Sequence, residues 1–455
     1  MIYLVRNFSL QFLLPCITLV SLNNIESKIY TKTTNSIVAK IDKVTGVETS
    51  YSPSRGDNQN SKFVAKPKKK ILILSSIGGY CHTAAAEALQ SMLEDKYDIS
   101  IVNFFDEILH PVDTINTLTF GTMGGEEAYN TLLRNGWIKT INFFTLNIAP
   151  YLFQWNRDPL IDIAKKYFEE VKPDLIVSIV PFLNGNTIEA AKELNIPYFL
   201  ITLDDELTTW LLGINKISYS KFYISVWHDN PELISRIQDT LNIPRENILL
   251  GGFPLRKYFF EQQNKQELKK EFNINQDKFV IMMMMGGAGG NAAYRYTKMI
   301  MNMDENIHLI VVTGKNAALA RRLSRIKKKG KVDLTVLGFT KRTADLMAVS
   351  DLLIGKAGSG TFNEAKKMKL PILVDNTGSQ LFWEKPNIEM VKKYNLGATV
   401  DYISDLRPLI LEFIERKVKG DSNYLAAFSD IEKTIPTMTP QNIKKIIGNI
   451  MWSSV

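Results

Sequence analysis

The sequence predicts an α/β protein with two doubly wound, Rossmann-like halves that face each other across a cleft. Three observations support this fold class. Short continuous apolar runs recur along the chain, as expected of parallel strands that helices cover on both faces. Helical patterns separate these runs. Glycine-rich loops follow three of them, near residues 78, 286 and 358. At 455 residues, the chain is long enough for two domains.

The first half opens with strand, glycine loop, helix and strand. The predicted strand at 71–75 leads into a loop that contains Gly78 and Gly79, and His82 lies at the mouth of this loop. In a doubly wound domain, ligands bind at the carboxyl ends of the strands, where this loop is expected. The other elements predicted for this half are helices at 83–93, 187–194 and 231–241, and strands at 99–104, 175–180, 198–203 and 222–226.

Two further features of the first half carry chemical interest. Asp204 and Asp205 follow a predicted strand and precede Trp210. Aromatic side chains crowd residues 110–165, and we expect most of them to be core, with an apolar groove for a lipid as the alternative. These aromatic residues are Phe120, Tyr129, Trp137, Phe143, Phe144, Tyr151, Phe153 and Trp155.

The second half contains the stretch that we expect to bind a phosphate. A strand at 352–354 is followed by a loop at 355–361 and a helix from about residue 362, with Glu364 about one turn into that helix. Glycine lets a backbone approach a ligand closely, and a helix N-terminus offers free N–H groups with partial positive charge. Glu364 could accept hydrogen bonds from ribose hydroxyls. Taken alone, however, the loop would serve equally well as a tight turn. The remaining elements predicted here are strands at 248–250, 279–285, 308–312, 335–337 and 370–374, and helices from 266 and at 344–349.

Composition excludes some classes of site. The net charge of +8 and the pI near 9.1 suit an anionic partner. Two cysteines give no disulfide framework, and no two of the four histidines are spaced as a ligand pair, which argues against a metal site.

The N-terminus is interpreted apart from the two halves. Residues 1–20 are mostly apolar and fit a signal-like segment, an interfacial anchor or a misassigned start. Residues 21–66 read as a disordered linker because they are rich in Ser, Thr, Asn and Lys. The basic run at 66–70 could hold the chain on an anionic membrane. The predicted boundaries are 1–66, 67–250 and 251–455.

Several segments together resemble a known family. ILILSSIGGYCHTAAAEAL, PDLIVSIVPFLN, GGFPLRKYF, MMMGGAGG, VTGKN and GFTKRTADLMAVSDLLIGKAGSGTFNEA occur in the order found in monogalactosyldiacylglycerol synthases and processive diacylglycerol glycosyltransferases, which are MurG-like. The resemblance covers roughly residues 70–405. It implies glycosyltransferase fold B, with an acceptor-binding first half, a donor-binding second half and final helices that cross back.

The resemblance also implies roles for individual residues. The acceptor loop would contain Gly78 and Gly79, with His82 between acceptor and donor. In the donor site, Phe339 and Thr340 would lie beside the nucleobase and Glu364 would bind the ribose. The diphosphate would be bound by Gly358, Ser359, Gly360 and Thr361, with Gly287 and Gly289 facing the phosphates. Arg256 would contact a phosphate or the sugar, and Gln380 and Asn387 would lie near the sugar.

The sequence departs from the family pattern at three places. Tyr80 replaces a glycine before Cys81 and His82, and Leu207 stands where the family has a histidine before Trp210. The usual Gln-Glu-x-x-Asn pattern is interpreted as stretched between Gln380 and Asn387.

The leading hypothesis is an inverting, metal-independent hexosyltransferase that uses a UDP-sugar and a lipid acceptor such as diacylglycerol. It would need no cofactor, bind no nucleic acid and lie on the cytoplasmic face of an anionic membrane. His82 is the first choice for the catalytic base, with Asp204 or Asp205 acting directly or orienting it as the alternative. The other hypotheses are a UDP-sugar 2-epimerase of the same fold, a non-catalytic nucleotide- or membrane-binding relative and, last, a dinucleotide oxidoreductase.

Overall fold

Two parallel β-sheets organise the chain. In the computed structural model, the described residues are 67–78, 80–108, 125–155, 157–214, 218–286, 292–327, 330–421 and 423–452. The sheet of the first half contains β1 Lys70–Ser75, β2 Asp98–Asn103, β3 Leu175–Ser178, β4 Tyr198–Ile201, β5 Phe222–Val226 and β6 Ile248–Leu250. The sheet of the second half contains β7 Phe279–Met284, β8 Ile307–Val312, β9 Asp333–Leu337, β10 Leu352–Gly355, β11 Ile372–Asp375 and β12 Gly397–Val400.

Helices cover the faces of both sheets. Those of the first half are α1 Cys81–Leu93, α2 Gly125–Asn135, α3 Ile138–Asn147, α4 Ala149–Trp155, α5 Arg157–Val171, α6 Asn184–Glu193 and α7 Pro231–Leu241. Those of the second half are α8 Lys265–Glu271, α9 Ala292–Ile300, α10 Ala317–Ser324, α11 Thr343–Val349, α12 Ser359–Lys367, α13 Lys385–Lys393, α14 Leu406–Val418, α15 Asn423–Thr434 and α16 Pro440–Trp452.

Strand order places the functional loops. The first sheet runs β2-β1-β3-β4-β5-β6 and the second runs β12-β11-β10-β7-β8-β9, with every pair of neighbouring strands parallel. The order reverses between β1 and β3 in one sheet and between β7 and β10 in the other. Ligands bind in the crevice that opens at such a reversal. The predicted class of two doubly wound halves is therefore confirmed.

Apolar runs became buried strands for the expected reason. All four residues of β3, β4 and β10 are buried, because each strand lies between neighbours in the sheet and beneath helices. The boundaries differ from the sequence predictions by one or two residues at half of the predicted strand ends and agree at the other half, and the sequence assigned no strand at β12.

The expectation for the aromatic segment is wrong. None of its six aromatic residues with a described side chain is fully buried. Trp137, Phe143 and Tyr151 are exposed, because α3 and α4 turn them away from the core. Phe120 and the side chain of Trp155 lie outside the described residues, as do residues 1–66.

The chain crosses back from the second half to the first at its end. Phe253 pairs with Thr437 in an isolated bridge, and α16 packs on α1, where Lys444 lies 2.6 Å from Asp95. Gly252 has φ +79°, and a Cβ there would lie 2.7 Å from the backbone at Pro436. Only glycine lets the two crossing segments approach so closely. Among the described helices, none combines the length and apolarity that a bilayer crossing requires.

Candidate active site

The loop between β10 and α12 is shorter than the sequence suggested. Helix α12 begins at Ser359 rather than near residue 362, so Gly360 and Thr361 lie in its first turn. No described side chain caps this helix, whose N-cap residue is Gly358. Cys81 of α1 lies against Gly360, because a Cβ at position 360 would be 3.4 Å from the Cys81 sulfur. Glycine at this position therefore allows α1 to approach the helix N-terminus.

A chain of hydrogen bonds connects the two halves at this loop. The amide of Asn387 in α13 donates to the Ala357 carbonyl at 2.7 Å and to Ser359 Oγ at 3.0 Å. Ser359 Oγ in turn donates to Asp204 Oδ1 at 2.6 Å. Trp210 Nε1 donates to the other oxygen of Asp204 at 3.3 Å. Asp204 of the first half thus lies directly on the glycine loop of the second half.

Asp204 titrates close to neutrality. Burial raises the pKa of this carboxyl to about 6, although the hydrogen bonds from Ser359 and Trp210 oppose the shift. The group is therefore mostly ionised at pH 7 and able to take up a proton.

Arg256 and Glu364 form a buried ion pair. Arg256 Nη2 donates to Glu364 Oε1 at 2.8 Å and to Thr343 Oγ1 at 3.0 Å, and each charged residue is 7% exposed. Burial raises the pKa of Glu364, and its arginine partner opposes that shift. Arg256 Nε is buried and finds no acceptor among the described residues. The two positions that the sequence assigned separately to the donor are thus in contact.

A small cleft lies beside this pair. It is bounded by Cys81 and Ala84 of α1, by the 253–256 segment, and by Gly360 and Glu364 of α12. The cleft therefore has a helix N-terminus and a guanidinium on its wall. Both features favour an anion.

His82 is held in one orientation at the strand reversal of the first sheet. Its Nδ1 lies 2.7 Å from the Ile179 carbonyl, so that nitrogen carries the proton and donates it. The ring lies 6.0 Å from that of Trp210, the residue that also contacts Asp204. Burial lowers the pKa of His82 to about 4. The ring is therefore neutral at pH 7, and Nε2 is a proton acceptor.

Asp205 has a different partner from its neighbour. Its Oδ2 lies 2.5 Å from His228 Nδ1, which follows β5. Leu207, at the place of the family histidine, is a buried core residue. A histidine that follows another strand thus contacts the second acid of this segment, which sequence spacing could not reveal.

The glycine loop after β1 holds an internal carboxylate. The backbone N–H groups of Ile77 and Gly78 donate to Glu126 Oε1 of α2 at 2.9 and 3.2 Å, and Ser76 Oγ also donates to it. Asn103 donates to the other oxygen at 2.8 Å. Glu126 was not singled out from the sequence. Gly79, Gly287 and Gly289 lie outside the described residues.

The segment before α13 contains a residue that the sequence interpretation missed. Gln380 donates its amide within its own loop, to the Asp375 and Gly378 carbonyls at 2.9 and 3.2 Å. Glu384 is buried, with its Oε1 3.6 Å from the place of a Cβ on Gly358. Burial raises its pKa to about 7, and Lys356 opposes this shift. The spacing of Glu384 to Asn387 matches the Glu-x-x-Asn part of the family pattern, with Trp383 in place of Gln.

The loop after β9 contacts the first half through an aromatic pair. Phe339 is exposed, and its ring meets the Tyr80 ring edge-on at 5.2 Å. Thr340 Oγ1 accepts from the Arg342 N–H at 3.0 Å. Tyr80, which departs from the family pattern, therefore contacts Phe339, the residue that the resemblance places beside the nucleobase. Within the described part of the chain, no three His, Cys, Asp or Glu side chains cluster as metal ligands would.

Comparison with known proteins agrees with this arrangement. Residues 281–377, from β7 to the end of β11, match the glycosyltransferase family 28 C-terminal domain. The chain is 22% identical over 334 residues to a processive diacylglycerol β-glucosyltransferase of Bacillus mycoides, covering 71% of this chain and 81% of the relative. It is 24% identical over 399 residues to a probable chloroplastic monogalactosyldiacylglycerol synthase of Glycine max, covering 83% and 70%.

Solved structures share the architecture. MurG of Acinetobacter baumannii matches with a TM-score of 0.51 and 12% identity, covering 84% of this chain and 100% of that one. Arabidopsis thaliana UGT89C1, complexed with UDP, matches with a TM-score of 0.53 and 15% identity over the same shares. At these identities the likeness shows the fold, and the resemblance drawn from the sequence motifs is confirmed. The protein therefore has the two-domain fold of these structures, and residues 281–377 of its second half match the glycosyltransferase family 28 C-terminal domain.

Proposed function

We propose that the protein transfers a hexose from a UDP-sugar to the hydroxyl of a lipid acceptor such as diacylglycerol, with inversion and without a metal or other cofactor. The observation that carries the proposal is the meeting of three features in one place. These are the N-terminus of α12, the buried Arg256–Glu364 pair and the Asp204–Ser359 contact from the opposite half.

The donor is held by the second half in this proposal. A diphosphate would accept hydrogen bonds from the N-terminal turn of α12 and from Arg256, whose Nε is directed to no acceptor in the described residues. Glu364 would accept from a ribose hydroxyl with the oxygen that Arg256 does not use. Glu384, protonated about half the time near pH 7, would contact a sugar hydroxyl as donor or acceptor.

The chemistry is a single displacement. The acceptor oxygen would attack the anomeric carbon while its proton passes to His82 Nε2, and the bond between that carbon and the diphosphate oxygen would break. UDP would leave with the electron pair. Positive dipoles at α12 and the charge of Arg256 would stabilise the developing negative charge. Asp204 remains the competing base, since its pKa of about 6 also suits proton uptake.

Exposed apolar side chains support a lipid acceptor and attachment to an anionic membrane. Phe143 and Tyr151 are 60% and 71% exposed. Leu146 on α3 and Trp137, which directly precedes α3, are also exposed. Amphipathic helices bind bilayer interfaces through such faces. The relatives named for diacylglycerol acceptors point in the same direction.

The decisive experiment is a donor and acceptor panel. Purified protein would be incubated with UDP-glucose, UDP-galactose or UDP-N-acetylglucosamine and with diacylglycerol or ceramide in vesicles, and products would be resolved by mass spectrometry and NMR. A glycolipid of opposite anomeric configuration to the donor is expected, with turnover unchanged by a chelator. Absence of UDP binding and of any transfer or hydrolysis would refute the proposal.

A UDP-sugar 2-epimerase is the second candidate. Two buried carboxyls with raised pKa values, Asp204 and Glu384, face the same loop, and an epimerase needs several acid–base groups around its sugar. NMR of UDP-N-acetylglucosamine after incubation separates the two functions, because only an epimerase would yield a product inverted at C2 without an acceptor.

A further inference from the structure

The segment 380–384 leads into the region expected to contact the donor sugar. At its upstream end, the Gln380 side-chain amide donates to the Asp375 carbonyl. Its downstream end continues into α13, where Asn387 donates to the Ala357 carbonyl of the glycine loop. Between these ends, residues Phe382–Glu384 form a single 3-10 turn. The position of Glu384 beside Gly358 therefore depends on what fixes this turn.

A side chain from the first half fixes it. Asn142 of α3 donates its Nδ2 to the Gln380 carbonyl at 2.8 Å, and its Oδ1 accepts from the Phe382 N–H at 3.2 Å. The amide thus bonds the backbone of two residues that lie 238 and 240 positions away in sequence. An amide alone offers a donor and an acceptor in this fork. Aspartate lacks the donor, and alanine lacks both.

Apolar packing surrounds these two hydrogen bonds. Ile138 and Ile141 of α3 form a buried cluster with Leu381, and the Tyr129 ring of α2 lies 6.5 Å from that of Trp383. The shielding from water strengthens the hydrogen bonds inside it. Phe143 and Leu146 of the same helix are exposed. One helix therefore packs on the donor-side segment and also carries exposed apolar side chains.

We propose that Asn142 is a positioning residue that sets the sugar-binding geometry of the 380–384 segment from the acceptor-binding half. The inference rests on the proposed function. The nucleotide would be held by α12, Arg256 and Glu364, which Asn142 does not contact. The sugar subsite, in contrast, is complete only when α3 is docked on the other half. Asn142 would thereby couple the half that takes the acceptor to recognition of the sugar.

The test separates sugar recognition from nucleotide binding. Asn142→Ala and Asn142→Asp would be compared with Asn147→Ala, because exposed Asn147 lies on the same helix and bonds only the Phe143 carbonyl among the described contacts. Calorimetry would give the Kd of UDP and of UDP-glucose and UDP-galactose. Initial rates with dioleoylglycerol vesicles would give KM and kcat.

Wild-type protein is expected to bind a UDP-sugar more tightly than UDP, and both Asn142 variants are expected to lose this difference in affinity. Loss of one shielded hydrogen bond in the aspartate variant and of two in the alanine variant should raise the KM for the sugar donor within a range of roughly 5- to 30-fold, with the larger effect for alanine, while the Kd of UDP stays within about twofold of wild type. Asn147→Ala should behave as wild type. The aspartate variant keeps the side-chain shape and serves if the alanine variant does not fold.

Three outcomes would overturn the assignment. A parallel rise in the Kd of UDP would mean that Asn142 supports the whole donor site. Unchanged kinetics would mean that Asn142 only contributes to packing between the two halves and does not position the sugar site. An equal effect of Asn147→Ala would mean that any substitution on α3 impairs sugar binding. A wild-type protein that binds neither UDP nor either UDP-sugar would instead refute the proposed function itself.

Discussion

Removal of the His82 imidazole is the sharpest test of the catalytic chemistry. His82→Asn is the best variant, because an amide can still donate to the Ile179 carbonyl in place of Nδ1 but has no basic nitrogen in place of Nε2. General-base assistance contributes about 10²- to 10⁴-fold in rate, so kcat should fall by that order. The Kd of UDP should stay unchanged, because the groups proposed to hold the nucleotide belong to the second half.

The pH dependence distinguishes His82 from Asp204 as the base. His82 has a pKa of about 4, so a wild-type rate that depends on its neutral form should be flat between roughly pH 5 and 8. Asp204 has a pKa of about 6, so a rate that depends on its carboxylate should be roughly tenfold lower at pH 5 than at pH 7. Steady-state kcat/KM measured over this range with a saturating lipid acceptor gives the answer.

The histidine assignment would be refuted by a specific combination of results. These are an acidic limb near pH 6 in the wild type, near-normal turnover of His82→Asn, and loss of turnover in Asp204→Asn. The last variant keeps an oxygen for the Ser359 hydroxyl, so its loss of activity would point to the missing carboxylate.

Two further substitutions test the donor site and its electrostatics. Glu364→Gln should raise the Kd of UDP roughly tenfold with a smaller change in kcat, because a charged hydrogen bond to ribose is weakened and Arg256 loses its ionic partner. Calorimetry gives the Kd and initial rates give kcat. A large fall in kcat at unchanged affinity would contradict this role. Glu384 has a pKa of about 7 in the folded state, against 4.5 for an ordinary glutamate. Between pH 4.5 and pH 7 the folded state therefore binds more protons than the unfolded state. The free energy of unfolding consequently falls as the pH rises through that window. Glu384→Gln should therefore be more stable than wild type at pH 8, by on the order of 2–3 kcal/mol, and equal to it at pH 4, as urea unfolding would show. Glu389→Gln is the control, because Glu389 is exposed on α13, the helix that follows Glu384. A gain of equal size there, or none in Glu384→Gln, would contradict the explanation.

The sequence by itself determined the fold class and eleven of the twelve strands that the structure describes. Runs such as those that became β1, β3 and β10 are continuously apolar because a parallel strand is covered on both faces, and this pattern is local. The glycine loop before α12 was also visible, although the helix begins at Ser359 and not near residue 362. The boundary differs because the start of a helix depends on tertiary contacts at its first turn, and here Asp204 and Asn387 bond Ser359, the first residue of α12.

Only the tertiary structure decided which candidate residues touch one another. Asp204 meets Ser359 from a position 155 residues away, and Asp205 pairs with His228, which follows the next strand of the sheet. Asn142 carried no signal in the sequence, because an amide on an amphipathic helix is ordinary until its partner surface is known. Side-chain hydrogen bonds depend on the arrangement of elements that meet only after packing, whereas apolar periodicity depends on neighbours along the chain.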